Sequence, residues 1–368
     1  MAKKNKTRTD FRKHHESRTR RKDLTRDYLR ERLDHDAAVP EERISGKGEL
    51  TRRRTVMTDD HTGLAVDAPG TLRGRVLRVF GLASEVETEE GRLFRCATRR
   101  LLKNLATDER HVVAAGDLVY IRPEGKEEGF IERVEPRTSE LARTSKNRRH
   151  VIVANVDQIF IVASAAEPHL KPNLIDRYLV AAEQMRIRPV VVINKIDLVD
   201  SADLLPLAGV YGQMGYDVLL VSATTGQNIA RLRGMLPGRE SVFSGQSGVG
   251  KSSLLNAIEP GLDLRVNAVS AENQKGKHTT TTAHLLKLQI GGYVVDTPGI
   301  RQFQLWDVIP REVAGLYRDL RPYVSLCRFP DCTHTHEADC AVKAAVGDGR
   351  LDARRYESYC SLFEGDEV

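Results

Sequence analysis

Across its 368 residues the chain has no uninterrupted apolar run near the roughly 18 residues a membrane helix requires. The opening Met-Ala-Lys-Lys-Asn-Lys carries charge with no apolar stretch behind it, which argues against a secretory signal. Transit peptides are poor in acid, whereas residues 1–66 hold 12 Asp and Glu. A cytoplasmic protein without a membrane partner is therefore expected. Cysteine is scarce and odd in number: Cys96, Cys327, Cys332, Cys340 and Cys360. Such a set makes a poor disulfide framework, and the crowding of three into fourteen residues points to a metal site in a reducing compartment. Aromatics are only 5% of the chain. In the β-rich segment described below they are Phe80, Phe94, Tyr120 and Phe130, so stacking on bases would be secondary in any nucleic-acid contact.

Net charge is missing from most of the chain. Residues 67–368 hold 39 basic and 39 acidic side chains, and the whole excess of +6 sits in residues 1–66. Residues 1–33 alone carry 13 bases against 5 acids. An arm of this kind suits a polyanion, because each phosphate it neutralises releases a counterion. The same composition also suits a solvated tail with no partner.

The texture of the sequence divides the chain in four. Residues 1–68 read as a basic, flexible extension. Residues 69–145 hold five short alternating runs (74–80, 83–87, 92–97, 117–121 and 129–134) punctuated by glycine, which predicts a small β-barrel of the OB type. After a basic connector (Arg143, Lys146, Arg148, Arg149), residues 146–308 alternate strand and helix. Strands are expected at 158–163, 188–194, 217–222, 240–244, 284–290 and 293–296, with helices at 173–185, 227–236 and 252–258. That alternation predicts a mostly parallel sheet covered on both faces. Residues 309–368 read as mainly helical and contain the cysteine cluster.

The sequence Gly245-Gln246-Ser247-Gly248-Val249-Gly250-Lys251-Ser252 fits the phosphate-binding loop, with a strand before it and a helix after it. Its glycines let backbone N–H groups wrap phosphates; Lys251 adds a point charge, and Ser252 offers a hydroxyl to Mg²⁺. Ser253 follows in the same helical turn. Asp296-Thr-Pro-Gly299 closes a strand, placing Asp296 at the Mg²⁺ and the Gly299 N–H at the γ-phosphate. Asn194-Lys195-Ile-Asp197 also ends a strand. An aspartate there accepts from both guanine N1–H and the exocyclic amine, a pattern adenine cannot match. Lys195 would lie along the base, and Ser222-Ala223 would bring a backbone N–H to guanine O6. These motifs together predict a site for GTP and GDP. Between them, residues 274–282 form a polar loop expected to be the first switch. One of Thr279 to Thr282 would complete the Mg²⁺ shell, with Thr280 preferred. Ordinary GTPases run phosphate loop, switch, Asp-x-x-Gly and then Asn-Lys-x-Asp; here the last motif comes first, so the core is circularly permuted.

Cys327-x4-Cys332-x-His334-x5-Cys340 supplies three thiolates and an imidazole, the inventory of a closed structural Zn²⁺ site, with His336 as a competing ligand. Cys96 and Cys360 read as packing residues.

The combined pattern resembles one family, the circularly permuted, ribosome-small-subunit-dependent GTPase A (RsgA, also YjeQ or YloQ). The resemblance covers roughly residues 70–360. It rests on the Gly74-Arg-Val strand, Gly116-Asp117, Pro136-Arg137, the three nucleotide motifs, Gly276-Lys-His-Thr-Thr280 and the Cys/Cys/His/Cys spacing. It implies an N-terminal OB-fold β-barrel, a circularly permuted α/β P-loop GTPase core and a C-terminal, mainly helical zinc-binding domain. It also implies action in late maturation of the small ribosomal subunit, with hydrolysis stimulated by that subunit, and contact with its rRNA by a monomer. Ile300 stands where many GTPases carry a water-orienting glutamine nearby, and an aliphatic side chain cannot orient water. The resemblance implicates a switch histidine, here His278, as the catalytic group beside Lys251 and Thr280; Gln302 is the rival. Glu337-Ala-Asp-Cys340 departs from the Glu-Pro-Gly-Cys expected in the family.

Overall fold

A computed structural model describes residues 5–11, 52–59, 63–64, 70–81, 83–98, 113–145, 148–262, 264, 283–296 and 310–365. In the N-terminal stretch read as an extension, β1 (Asn5–Phe11) pairs antiparallel with β2 (Arg52–Asp59), which pairs in turn with β3 (Gly63–Leu64). Thr7, Thr9, Thr55, Val56 and Thr58 give these segments the β-branched content that favours extended backbone.

The five expected barrel strands are present as β4 (Leu72–Phe80), β5 (Ala83–Thr88), β6 (Leu93–Thr98), β7 (Leu118–Glu124) and β8 (Glu128–Val134). They run in the order β4-β5-β6-β8-β7, and a β4–β7 pairing closes the ring. The β6–β8 pair is parallel and the others antiparallel, the topology of an OB barrel. Alternation along each strand sends Val76, Val86, Phe94, Cys96, Val119, Ile121 and Ile131 inward to one core. A bulge in β4 between Val76 and Arg78 gives that strand the bend closure needs.

The basic connector is itself structured. Glu140–Ser145 (β9) and Arg148–Ala154 (β10) form an antiparallel pair, so the division expected between residues 145 and 146 falls inside a hairpin. Asp117 ties this hairpin to the barrel. Its carboxylate accepts from Arg137 Nε (2.7 Å) and Nη2 (3.0 Å) and from the Ala114 N–H (2.7 Å). Asn155 Nδ2 donates to Gly116 O at 3.0 Å. Gly116 has φ +87°, and a Cβ there would land on the Ala154 carbonyl. The Gly-Asp and Pro-Arg pairs of the sequence are therefore two sides of one joint.

The nucleotide-domain sheet runs β13 (Asp217–Leu220), β12 (Arg188–Asn194), β11 (Gln158–Ser164), β14 (Glu240–Ser244), β16 (Tyr293–Asp296), β15 (His284–Lys287). All are parallel except β15, which is antiparallel to β16. β11, β12 and β14 are buried almost throughout, as expected of central strands with both faces covered. α1 (Pro172–Gln184), α2 (Leu205–Gln213), α3 (Ile229–Arg233) and α4 (Lys251–Ile258) supply the cover. Sequence patterning did not show α2, whose Pro206, Gly209 and Gly212 are poor helix formers. The barrel continues this sheet, because β4 pairs with β15 at Arg78 and His284.

The C-terminal unit is helical, as expected: α5 (Val313–Leu316), α6 (Arg321–Val324), α7 (Ala341–Gly347) and α8 (Ala353–Glu364). Its core of Tyr317, Leu320, Val342, Leu351 and Tyr359 includes Val180 of α1. A buried salt bridge completes this seam: Arg355 Nη1 lies 2.6 Å from Asp176 Oδ1, and Arg355 Nη2 lies 2.9 Å from Asp319 Oδ1.

Candidate nucleotide site and metal centre

The permuted motifs follow the C-terminal ends of parallel strands β13 and β12 on one side of β11 and β14 and β16 on the other, where open α/β sheets place their ligands. β14 delivers Gly245, and the loop turns through Gly248 (φ +83°) and Gly250 (φ +94°) before α4 begins at Lys251. These left-handed conformations favour glycine, and a Cβ on Gly250 would strike Asn194. Lys251 Nζ curls over the loop, donating to Gly245 O (2.7 Å) and Gln246 O (2.8 Å). Ser252 and Ser253 lie in the first turn of α4, and Ser247 is exposed at the loop tip. A small cleft beside the loop is lined by Ser164, His169, Lys171, Tyr178, Gln246 and Val249.

Asn194 holds the base-reading strand to the phosphate loop. Its Nδ2 donates to Val249 O at 2.9 Å, and its Oδ1 accepts from the Ala223 N–H at 3.2 Å. One buried amide thus fixes three motifs against each other. The Ala223 N–H, expected to serve guanine O6, is directed here at Asn194. Asp197 is exposed, and its Oδ1 accepts from Ser222 Oγ at 2.6 Å; the Thr225 N–H donates to that same hydroxyl oxygen. Lys195 is left-handed (φ 65°) and donates through Nζ to Glu167 O. Sequence reading missed Glu167, for a backbone acceptor leaves no side-chain signature. β16 runs beside β14, so Asp296 ends its strand next to the one that delivers the phosphate loop. The Ser252 hydroxyl and a carboxylate at Asp296 are the hard oxygen donors Mg²⁺ prefers. His278, Thr280, Gly299 and Gln302 lie outside the described residues.

The predicted metal set comes together in the C-terminal unit. The ligand atoms of Cys327, Cys332, His334 and Cys340 all lie within 4.8 Å of one another. Cys327 Sγ is 3.8 Å from Cys340 Sγ, and His334 Nδ1 is 3.3 Å and 3.6 Å from those two sulfurs. A tetrahedral ion with metal–sulfur bonds of about 2.3 Å sets its thiolates about 3.8 Å apart, so the cluster has the size of a Zn²⁺ site. Burial pushes the Cys332 thiol up to about 12, and a bound cation would favour the thiolate form that ligation requires. His336 is a bystander: it is 80% exposed, and its Nδ1 faces Thr335 Oγ1.

The loop bearing the ligands is pinned from behind. Glu337 Oε1 accepts from the Thr333 N–H and Oγ1, both at 2.6 Å, and Oε2 from the Thr335 N–H at 3.2 Å. Burial alone would raise this carboxyl, but the Thr333 bonds outweigh it and hold it at about 2. Tyr356 and Tyr359 donate to the carbonyls of His334 (2.8 Å) and Thr333 (2.6 Å). The Ala-Asp that replaces the expected Pro-Gly is accommodated by Asp339 at φ 55°.

An OB barrel, a P-loop sheet with permuted motifs and a Cys3His cluster define a circularly permuted GTPase, a GTP hydrolase. The sequence model of a family described as RsgA GTPase matches residues 134–306. The chain is 42% identical over 297 residues to the small ribosomal subunit biogenesis GTPase RsgA of Sodalis glossinidius, covering 79% of this chain and 85% of the relative. It is 40% identical over 323 residues to the protein of that name in Yersinia pseudotuberculosis, covering 86% and 90%. Among solved structures, YjeQ from Thermotoga maritima is 37% identical with a TM-score of 0.68, covering 80% of this chain and 98% of that one. YloQ, described as a circularly permuted GTPase, is 30% identical with a TM-score of 0.65, covering 81% and 96%. This chain belongs to the RsgA family.

Proposed function

We propose that this GTPase binds the small ribosomal subunit and acts in its late maturation, hydrolysing GTP when the subunit stimulates it, with nucleotide state controlling association and release. The printed names of the Sodalis and Yersinia relatives support the biological setting. The observation that carries the chemistry is the Asn194 bridge, which ties the strand of the base-reading motif to the phosphate loop and supports reading the two as one site despite their permuted order.

In this reading Asp197 pairs with guanine, and Lys195, Ser222 and Ala223 frame the base. The backbone of Gly245 to Gly250 cradles the phosphates, with Lys251 countering their charge. Ser252, Asp296 and Thr280 would hold Mg²⁺, which when bound neutralises charge on the β- and γ-phosphates. Gly299 senses the γ-phosphate, and His278 orients the attacking water. Such positioning is the main demand of phosphoryl transfer. The four-residue zinc cluster is structural, having no open position for substrate.

The barrel and basic arm would meet rRNA mainly through phosphates. On the barrel, Arg78 and Arg95 lie over Phe80 and Arg133 over Tyr120, so guanidinium groups already occupy aromatic faces that bases would stack on, and Phe94 is buried in the barrel core. The protein is read as a cytoplasmic monomer. The deciding measurement is GTP turnover with and without purified small subunits, with free rRNA as the control. Turnover should rise with subunits and not with RNA alone. His278→Ala should bind GTP normally yet lose roughly 100-fold of the stimulated rate; full stimulation in that variant would remove His278 from the mechanism.

A further inference from the structure

The barrel meets the nucleotide domain through a matched row of charges. On the nucleotide side Lys287, Tyr293 and Glu240 stand side by side across β15, β16 and β14, for Lys287 pairs with Tyr293 and Tyr293 with Glu240. On the barrel side Arg75 and Glu87 are cross-strand partners on β4 and β5. Glu87, only 9% exposed at its side chain, accepts from Lys287 Nζ at 2.5 Å and from the Tyr293 hydroxyl at 2.7 Å. Arg75 forms an ion pair with the buried Glu240 and lies 5.2 Å from the centre of the Tyr293 ring. Each barrel charge thus faces its opposite, with the Tyr293 ring and hydroxyl shared between them.

The position of this row in the chain gives it significance. Glu240 opens β14, which ends in the phosphate loop; Tyr293 opens β16, which ends at Asp296. Lys287 closes β15, whose first residue, His284, follows the threonine loop and pairs with Arg78 of the barrel. The barrel therefore grips the strands from which the nucleotide-facing segments extend, through the charge row at the end of the sheet away from the nucleotide and through Arg78 at His284, opposite Asp296. The C-terminal unit grips the other half. Arg355 reaches Asp176 on α1, the Tyr211 hydroxyl of α2 donates to the same Asp176, and Arg318 Nε donates to Glu183 at 2.6 Å.

We infer that Arg75 and Glu87 are positioning residues for stimulated GTP hydrolysis: through them a barrel seated on its partner shifts the strands that carry the phosphate loop and lead to both switch segments. Seating the barrel on a partner is then felt at the nucleotide, and nucleotide state is felt in the barrel, as reciprocity requires. The first half of that statement rests on the proposal that the small subunit stimulates hydrolysis.

The test uses the full chain with Glu87→Ala, the milder Tyr293→Phe, and the charge exchange Glu87→Lys with Lys287→Glu. In the wild-type protein alone, deuterium uptake by residues 72–88 should differ between GDP and a non-hydrolysable GTP analogue, and in Glu87→Ala the difference should vanish. With small subunits, Glu87→Ala should lose roughly tenfold of the stimulated kcat while basal turnover and KM for GTP stay unchanged, and the charge exchange should restore it. Equal uptake in the two nucleotide states of the wild type would overturn the inference. So would stimulated rates within about twofold of wild type in both single variants, or an equal loss of basal and stimulated rates in Tyr293→Phe. Absence of stimulation in the wild type would instead count against the maturation reading, and the deuterium comparison decides the barrel contact without it.

Discussion

Asp197 enters the proposed base site with one oxygen held by Ser222 Oγ at 2.6 Å, so its remaining accepting capacity is directed by a neighbour. Guanine presents two donors to it. In Asp197→Asn the amide oxygen would keep the Ser222 bond and turn the NH2 donor toward the base, setting donor against donor. Loss of hydrogen bonds to a charged acceptor, at about 1.5–3 kcal/mol each, predicts at least roughly 100-fold weaker GTP binding by titration calorimetry. Xanthosine triphosphate, with an acceptor in place of the exocyclic amine, should bind this variant better than GTP does. Motif spacing made the Cys3His cluster and the strand-loop-helix context of Lys251 legible, because side-chain chemistry at fixed intervals is what a sequence records. It did not reveal that Asn194 joins the base strand to the phosphate loop, a contact spanning 55 residues that exists only once the sheet has formed.

The elements divide along a similar line. The five barrel strands and six strands of the nucleotide sheet were visible as alternating or continuous apolar runs. The β9–β10 hairpin was hidden because four basic residues, Arg143, Lys146, Arg148 and Arg149, break the apolar pattern of the sequence there, although Leu141, Val151 and Val153 are buried. The joint that fixes this hairpin to the barrel depends on Gly116. An alanine there would occupy a left-handed conformation with its Cβ against the Ala154 carbonyl. Gly116→Ala should therefore lower stability by about 2–3 kcal/mol, read as a shifted midpoint in urea unfolding. An unchanged midpoint would mean the joint relaxes at little cost. The bidentate Arg137–Asp117 contact across the same seam explains why two dipeptides twenty residues apart carry the family resemblance.

For the whole molecule, the Cys3His cluster and the Arg355 seam predict different outcomes on metal removal. The C-terminal unit has a small apolar core, and a structural Zn²⁺ contributes its binding free energy directly to folding. Chelation should release one zinc per chain and open amides across residues 310–365 to exchange, while GTP affinity stays near its starting value. Loss of GTP binding on chelation would show that α1 depends on the unit packed against it. The barrel has a different importance for the molecule. β15 is the last strand of the nucleotide sheet, and β4 meets its outer side in one pairing, Arg78 with His284. A chain trimmed to begin after the barrel would present that strand's unpaired N–H and C=O groups to solvent, together with Tyr293 and Lys287 stripped of Glu87. Exposed edges of this kind recruit other strands. The barrel and its Glu87 contact thus stand over this end of the sheet, and poor solubility of the isolated nucleotide domain is the expected outcome even where its GTP site is intact.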